Sequence, residues 1–240
     1  MGHAGRLAAA LAGIFLLSGC LLTPGKFTST LDIKRDRSFT FTYVGEVIAQ
    51  PPSSGTDSES SPSTEASGMM KIAEPKSPPA TDPAAAQKMQ ALAETLAKEY
   101  GYRSVKYLGN YRFAIDYQVS GRLTHSFLFP FNIDGEVLVP FLAIELRDKD
   151  RIRLKAPGFA NDDSKGASIP GMGGVGSPPD RAAANALDGT FTMTTDAEII
   201  SQNQENGSQS LPDGRKRIVW RATPQTKDAP TAVLRFDALP

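Results

Sequence analysis

The chain is short of the residue types that most recognisable chemistry rests on. Its 240 residues include one cysteine (Cys20), one tryptophan (Trp220) and two histidines (His3 and His125). A lone cysteine cannot close an internal disulfide, so core packing alone must hold the fold together. Zinc sites need several His or Cys ligands, and none cluster here. Charge is in balance, with 26 Lys and Arg against 26 Asp and Glu. That excludes the strongly basic footprint of a nucleic-acid-binding domain. The leading apolar run, Leu7 to Leu17, has about eleven residues, well short of the ~20 a membrane-spanning helix needs. Hydrophobic residues make up 40% of the chain, below the ~45–50% apolar content of a typical domain, although that figure also counts Gly. The deficit is concentrated in two segments.

The first twenty residues have the three parts of an export signal. Arg6 and the amino terminus form a weakly positive start, Leu7 to Leu17 an apolar middle, and Ser18 and Gly19 the small residues before a cut. Leu17-Ser18-Gly19-Cys20 resembles the lipobox of bacterial lipoproteins. The resemblance implies diacylglycerol on the Cys20 sulfur, cleavage between Gly19 and Cys20, and acylation of the new amino terminus, palmitate being the usual acid. Leu21 stands where proteins retained at the inner membrane of enteric-type bacteria usually carry Asp. The resemblance thus implies the inner leaflet of the outer membrane, with the domain facing the periplasm. Each buried CH₂ adds ~0.8 kcal/mol and one chain holds only marginally, so three chains anchor stably. Removing residues 1–19 takes away only Arg6 among the charges, leaving 25 basic against 26 acidic residues, a net charge of −1.

Residues 50–83 are crowded with Pro, Ser, Thr and Glu, and their bulky apolar residues are Met69, Met70 and Ile72. Such a stretch buries too little surface to offset its ordering entropy and reads as disordered. Residues 157–179, with Gly171-Met172-Gly173-Gly174-Val175-Gly176 followed by Ser177-Pro178-Pro179, read the same way. Both exceed the length of ordinary structured loops, as flexible insertions do.

The remainder is periodic. Leu31 and Ile33, a turn at Arg35-Asp36-Arg37-Ser38, and Phe39, Phe41 and Tyr43 alternating with Thr40 and Thr42 predict a hairpin whose threonine face meets solvent. Asp82 and Pro83 open a helix carrying Met89, Leu92, Leu96 and Tyr100 on one stripe, with Gly101 placed to stop it. Tyr102–Leu108, a Gly109-Asn110 turn and Tyr111–Val119 predict a second hairpin, its second strand aiming Tyr111, Phe113, Ile115, Tyr117 and Val119 one way. Further strands are expected at 123–129, 137–146, 151–154, 189–194, 216–222 and 232–236. Residues 196–200 either extend the strand before them or form a short helical piece. Short connections favour antiparallel pairing, so the fold class is α+β, a mainly antiparallel sheet with one packed helix and long disordered insertions. Whether there is one sheet or two is left open.

The candidate chemistries are thin. His125 with Asp116 or Asp134 and Ser126 would make a hydrolytic triad, but Ser126 adjoins His125 and no Gly-x-Ser-x-Gly elbow is present. Asn161-Asp162-Asp163-Ser164-Lys165-Gly166 opens like a calcium loop, yet Lys165 takes a ligand position and Met172 replaces the twelfth-position Glu. Gly171-x-Gly173-x-x-Gly176 matches a dinucleotide fingerprint in letters only, because Pro residues flank it instead of a strand and a helix. No catalytic residue, metal or cofactor is therefore assigned. Two clusters remain as possible ligand contacts. Arg217 and Arg221 share a strand face around Val219, suiting either an anion or an edge strand blunted by charge; Trp220 lies on the opposite, core face. Phe127, Phe129, Phe131 and Phe141, with Pro130 and Pro140, suit either an apolar cleft or core beside an edge.

The run Cys20-Leu21-Leu22-Thr23-Pro24-Gly25-Lys26-Phe27 resembles the opening of a group of uncharacterised proteobacterial lipoproteins. The layout of hairpin, helix, long hairpin and late Trp220 strand is loosely similar to lipoproteins with a domain of the LppM kind. That resemblance implies an α+β envelope domain and brings no catalytic residues. The sequence thus predicts a lipid-anchored envelope protein that binds or scaffolds an envelope protein or lipid without turnover. A lipid- or hydrophobic-ligand module using Phe127–Phe141 is the alternative, and an envelope hydrolase the third reading.

Overall fold

The computed structural model describes residues 22–49, 83–130, 140–161 and 185–237. Cys20, Phe131, Asp134 and most of the two expected insertions lie outside them. Two sheets and one helix build the described part, as the α+β reading expects.

The first hairpin pairs Leu22–Ile33 (β1) with Ser38–Ala49 (β2). Phe27, Ser29, Leu31 and Ile33 point inward from β1, and Phe41, Tyr43, Val47 and Ala49 from β2. Alternation of this kind is what burying one face of a pleated strand requires. The threonines face out and bond across strands, Thr30 to Thr42 at 2.6 Å. β1 starts at Leu22, well before the Leu31 and Ile33 alternation. A bulge between Pro24 and Phe27 breaks the period there without ending the strand.

Helix α1, Pro83–Leu96, packs on the next strand through Ala93, with Met89 and Leu92 beside it. It ends a turn before the stripe predicts: Tyr100 is 78% exposed, and Gly101, at φ +91, follows directly. A Cβ on Gly101 would lie 2.5 Å from the Tyr117 ring, so this corner needs glycine both for its φ and for space. The second hairpin is Tyr102–Gly109 (β3) and Arg112–Arg122 (β4). Its inward row of Phe113, Ile115 and Tyr117 is as expected. The turn falls one residue later than predicted, on Asn110 and Tyr111, at φ +48 and +57.

The chain then builds the second sheet with Phe127–Phe129 (β5), Leu142–Arg147 (β6) and Arg151–Lys155 (β7). Strand β5 is shorter than the expected 123–129, because residues 123–126 form a bend. Pro157–Phe159, at the start of the second expected insertion, forms a 3-10 turn with Phe159 fully buried. Asp188–Thr195 (β8) returns to the first sheet, and Glu198–Gln202 (β9) joins the second. This β9 is neither of the two forms expected for 196–200. The switch takes two residues, with the Thr195 hydroxyl accepting the Ala197 N–H at 3.0 Å. Gln209–Ser210 (β10), Lys216–Ala222 (β11) and Thr231–Arg235 (β12) complete the strands. The orders are β10-β11-β8-β1-β2-β4-β3 and β5-β6-β7-β12-β9. Pairing is antiparallel except between β1 and β8, which run parallel and are separated in the chain by β2 to β4, the helix and the β5–β7 part of the second sheet.

An aromatic layer fills the space between the sheets. Phe27 stacks on Phe159 at 4.4 Å, Tyr117 meets Phe129 at 4.6 Å, Phe41 meets Phe129 at 5.1 Å, and Phe191 stacks on Trp220 at 5.5 Å. Such contacts add to the stabilisation from area burial alone. Burial pushes the Tyr102 phenol up to about 12, with Tyr117 and Glu99 adding to it, and burial raises the Tyr43 phenol well above its usual value. The folded state therefore holds these protons more tightly than the unfolded chain. The Tyr102 contribution is complete below about pH 10 and is lost as pH rises through about 12, at roughly 1.4 kcal/mol per pH unit. Urea midpoints taken across that window should fall steeply, and Tyr102→Phe should flatten the slope by one group. An unchanged slope in that variant would show that Tyr102 is already ionised or open to solvent.

Candidate functional site

Topology gives the domain two distinct ends. β1 runs away from Cys20, its twelve residues spanning ~40 Å at ~3.3 Å each. Its start lies beside the end of β2 and the β3–β4 turn, through the Leu22 and Ala49 pair and the Ala49 N–H bonded to the Tyr111 carbonyl at 2.9 Å. Its far end meets the β6–β7 turn, the corner at Asp196 and the end of β12.

Arg37 ties the far end together. It is 1% exposed, and no carboxylate pairs with it among the described residues. Its Nη2 donates to the Lys149 carbonyl at 2.5 Å, Nη2 and Nε both donate to the Asp237 carbonyl at 3.2 Å, and the guanidinium lies 5.9 Å from the Phe236 ring centroid. The Phe236 N–H bonds Asp150 at 2.7 Å and the Leu123 N–H bonds the Arg37 carbonyl at 2.9 Å. One side chain thus joins the first hairpin to the second sheet. The next turn residue, Ser38, donates its N–H and hydroxyl to Asp36 at 2.9 and 2.7 Å. Those bonds hold the Asp36 carboxyl below its usual range.

Beside this clamp is an open cleft of about 400 Å³, lined by Arg35, Thr195, Asp196, Ala197, Glu198, Gly214, Lys216, Arg235, Phe236 and Asp237. Its charges alternate in sign. Arg35 pairs with Asp237 at 3.5 Å, and the Arg35 N–H donates to Asp196 at 2.6 Å. Arg235 pairs with Glu198 at 2.8 Å and Asp150 at 3.6 Å. Lys216 has no ion-pair partner among the described residues. The cleft suits a polar, partly anionic group, which Lys216 would meet without first breaking a pair. No group of three or more His, Cys, Asp or Glu side chains among the described residues is placed to hold a metal ion.

The predicted site residues are scattered. Phe127, Phe129 and Phe141 belong to the interior aromatic layer: Phe127 packs on Phe39 and Phe41, and Phe129 and Phe141 are 2% and 1% exposed. Arg217 and Arg221 stand together on the outer face of β11, but both are engaged. Arg217 donates to Gln209 at 3.1 Å, and Arg221 donates to Thr190 at 2.8 Å and pairs with Asp188 at 3.5 Å. β10 covers β11 only at Lys216 and Arg217, so the rest of β11 is a sheet edge carrying charge. His125 is exposed in the bend before β5, its ring meeting the Thr124 hydroxyl at 3.2 Å, while Asp116 pairs with Arg103 at 3.5 Å. Sequence reasoning missed the cleft and the clamp. Arg35-Asp36-Arg37-Ser38 reads only as a turn, and nothing in its local pattern marks Arg37 as buried.

No protein-family model and no curated protein matches the chain. Among solved structures it is similar to the NMR structure of the folded domain of LppM from Mycobacterium tuberculosis. The identity is 14%, covering 92% of this chain and 94% of that one, with a TM-score of 0.36. A likeness at that score carries no argument about function.

Proposed function

We propose that this is a lipid-anchored protein of the bacterial cell envelope, held at Cys20, whose domain works by binding a partner and not by turnover. The observation that carries it is Leu17-Ser18-Gly19-Cys20 set directly behind a short apolar run, with β1 opening at Leu22. Two residues reach only ~7 Å, so the anchor would hold the start of β1 at the headgroups. The cleft of Arg35, Lys216 and Asp237 would then stand at the far end of β1, turned to the periplasm. No helix among the described residues is long and apolar enough to cross a membrane, so on this reading attachment depends on the acyl chains.

Expression of the full chain in a Gram-negative host tests this. The wild type is expected in the membrane fraction, with a mature chain starting at Cys20 and the added mass of a diacylglyceryl group and a fatty acid. Cys20→Ala placed behind a secretory signal with its own cleavage site is expected to leave that fraction, because neither the acyl chains nor an uncleaved apolar leader then remains. An unmodified Cys20, or a variant that fractionates like the wild type, would overturn the proposal.

A further inference from the structure

The β3–β4 turn carries a residue its geometry disfavours. Two-residue hairpin turns with both central residues at positive φ are normally built from Asn-Gly, since glycine has no Cβ to crowd the carbonyl. Here the pair is Asn110-Tyr111, at φ +48 and +57, directly after Gly109 at φ +84. The fold gives up stability to keep a tyrosine there, and strain of this kind concentrates where a side chain has work to do. The neighbours point the same way. Leu108 is 53% exposed, Lys106 is exposed beside it, and Tyr107 and Tyr111 pack against the core while staying partly exposed. Tyrosine, an aliphatic residue and a flanking cation form the combination that settles at a bilayer interface.

Topology places this tip beside the tether. Leu22 pairs with Ala49, and the Ala49 N–H bonds the Tyr111 carbonyl. At ~4.8 Å between strands, Tyr111 lies ~10 Å from the residue that follows Cys20 by two. We infer that the β3–β4 hairpin tip, through Leu108 and the exposed part of Tyr111, is a second membrane contact. It would dip into the interface of the bilayer that holds the Cys20 anchor and fix the orientation of the domain on it. This rests on the anchoring proposed above. An acyl tether alone leaves the domain free to swivel, whereas a second contact fixes which end faces away.

Because Cys20 is the only cysteine in the chain, an acylated L108C variant offers one free thiol. The full chain, purified from membranes, is reconstituted into phosphatidylcholine–phosphatidylglycerol vesicles containing lipids spin-labelled along the acyl chain. A bimane fluorophore is attached at L108C or, as the control at the far end of β1, at K34C. Both positions are exposed, so neither label disturbs the core. Quenching several-fold stronger at position 108 than at 34 is expected, with Tyr111→Gly reducing it. Equal quenching at the two positions in chain that floats with the vesicles would overturn the inference and leave the anchor standing. Bimane uptake by the wild-type chain would show a free Cys20. The anchoring proposal would then fail, and the hairpin contact with it.

Discussion

Arg37→Ala is expected to cost about 3–5 kcal/mol. The change removes a buried guanidinium that donates to the Lys149 and Asp237 carbonyls, and a hydrogen bond from a charged group contributes roughly 1.5–3 kcal/mol. Loss of the contact with Phe236 adds roughly 1 kcal/mol. In a domain of this size that is on the order of 10 °C in Tm. Arg37 also sits at φ +73, so two further variants separate the side chain from the backbone. Arg37→Gly relieves the left-handed strain while losing the same bonds, and should be less destabilised than Arg37→Ala by roughly 1 kcal/mol. Arg37→Lys keeps the charge but not the fork, and should recover only part of the loss. Urea unfolding of the set is the measurement. If alanine cost under ~1 kcal/mol, below what even one hydrogen bond from a charged group implies, Arg37 would not be the clamp between the sheets.

Gly45→Ala is the second large effect. A Cβ at Gly45 would sit 2.4 Å from the Lys26 carbonyl oxygen and 2.5 Å from the Phe27 Cα. Both are backbone atoms, so no rotamer change removes the overlap and β1 must move away from β2. The bulge between Pro24 and Phe27 has already used the slack there. Moving Phe27 disturbs its stacking on Phe159 and on Tyr43. A cost of about 2–4 kcal/mol is expected, at or above the upper end for overpacking. Gly121→Ala is the matched control. Its Cβ would meet only the edge of the Phe39 ring at 3.8 Å, an ordinary contact, and its effect should stay within ~0.5 kcal/mol. Equal midpoints for the two variants would show that the strands part freely at Gly45.

Together these variants locate the stability of the domain away from the far-end cleft. The far-end cleft is lined by paired, exposed charges such as Arg35 and Asp237, with side chains 64% and 67% exposed. Pairs of that kind contribute little to folding, typically ~0–1 kcal/mol. Substitutions at Lys216 or Asp237 side chains can therefore report on binding without unfolding the protein. Arg37, one layer beneath, cannot be used that way.

Much of the local structure was legible in the chain. Phe113, Ile115 and Tyr117 alternate as they must when one face is buried, and Lys216–Ala222 was bounded to the residue. Alternation is a property of near neighbours, so it survives without knowledge of the fold. The helix end was misplaced because Tyr100 continues the apolar spacing while Gly101 needs room against Tyr117, a residue sixteen positions on. The β3–β4 turn slipped by one because Tyr111 occupies a conformation in which its residue type is rare. Of the candidate sites, the expectation for Cys20 rests on its covalent neighbours alone. The cleft and the clamp were not legible, since they join Arg35 and Arg37 to Asp196, at the corner between β8 and β9, and to Asp237, which follows β12 in the other sheet.

By itself, then, the sequence determined the strand periods, the α+β class and the expected lipid attachment, because each depends on residues adjacent in the chain. Tertiary structure decided the split into two sheets and the parallel β1–β8 pair. It also decided the burial of Arg37 against a carbonyl 200 positions away. Those outcomes depend on which strands bury each other's apolar faces, and on which buried polar groups then need partners. No stretch of local pattern contains that information.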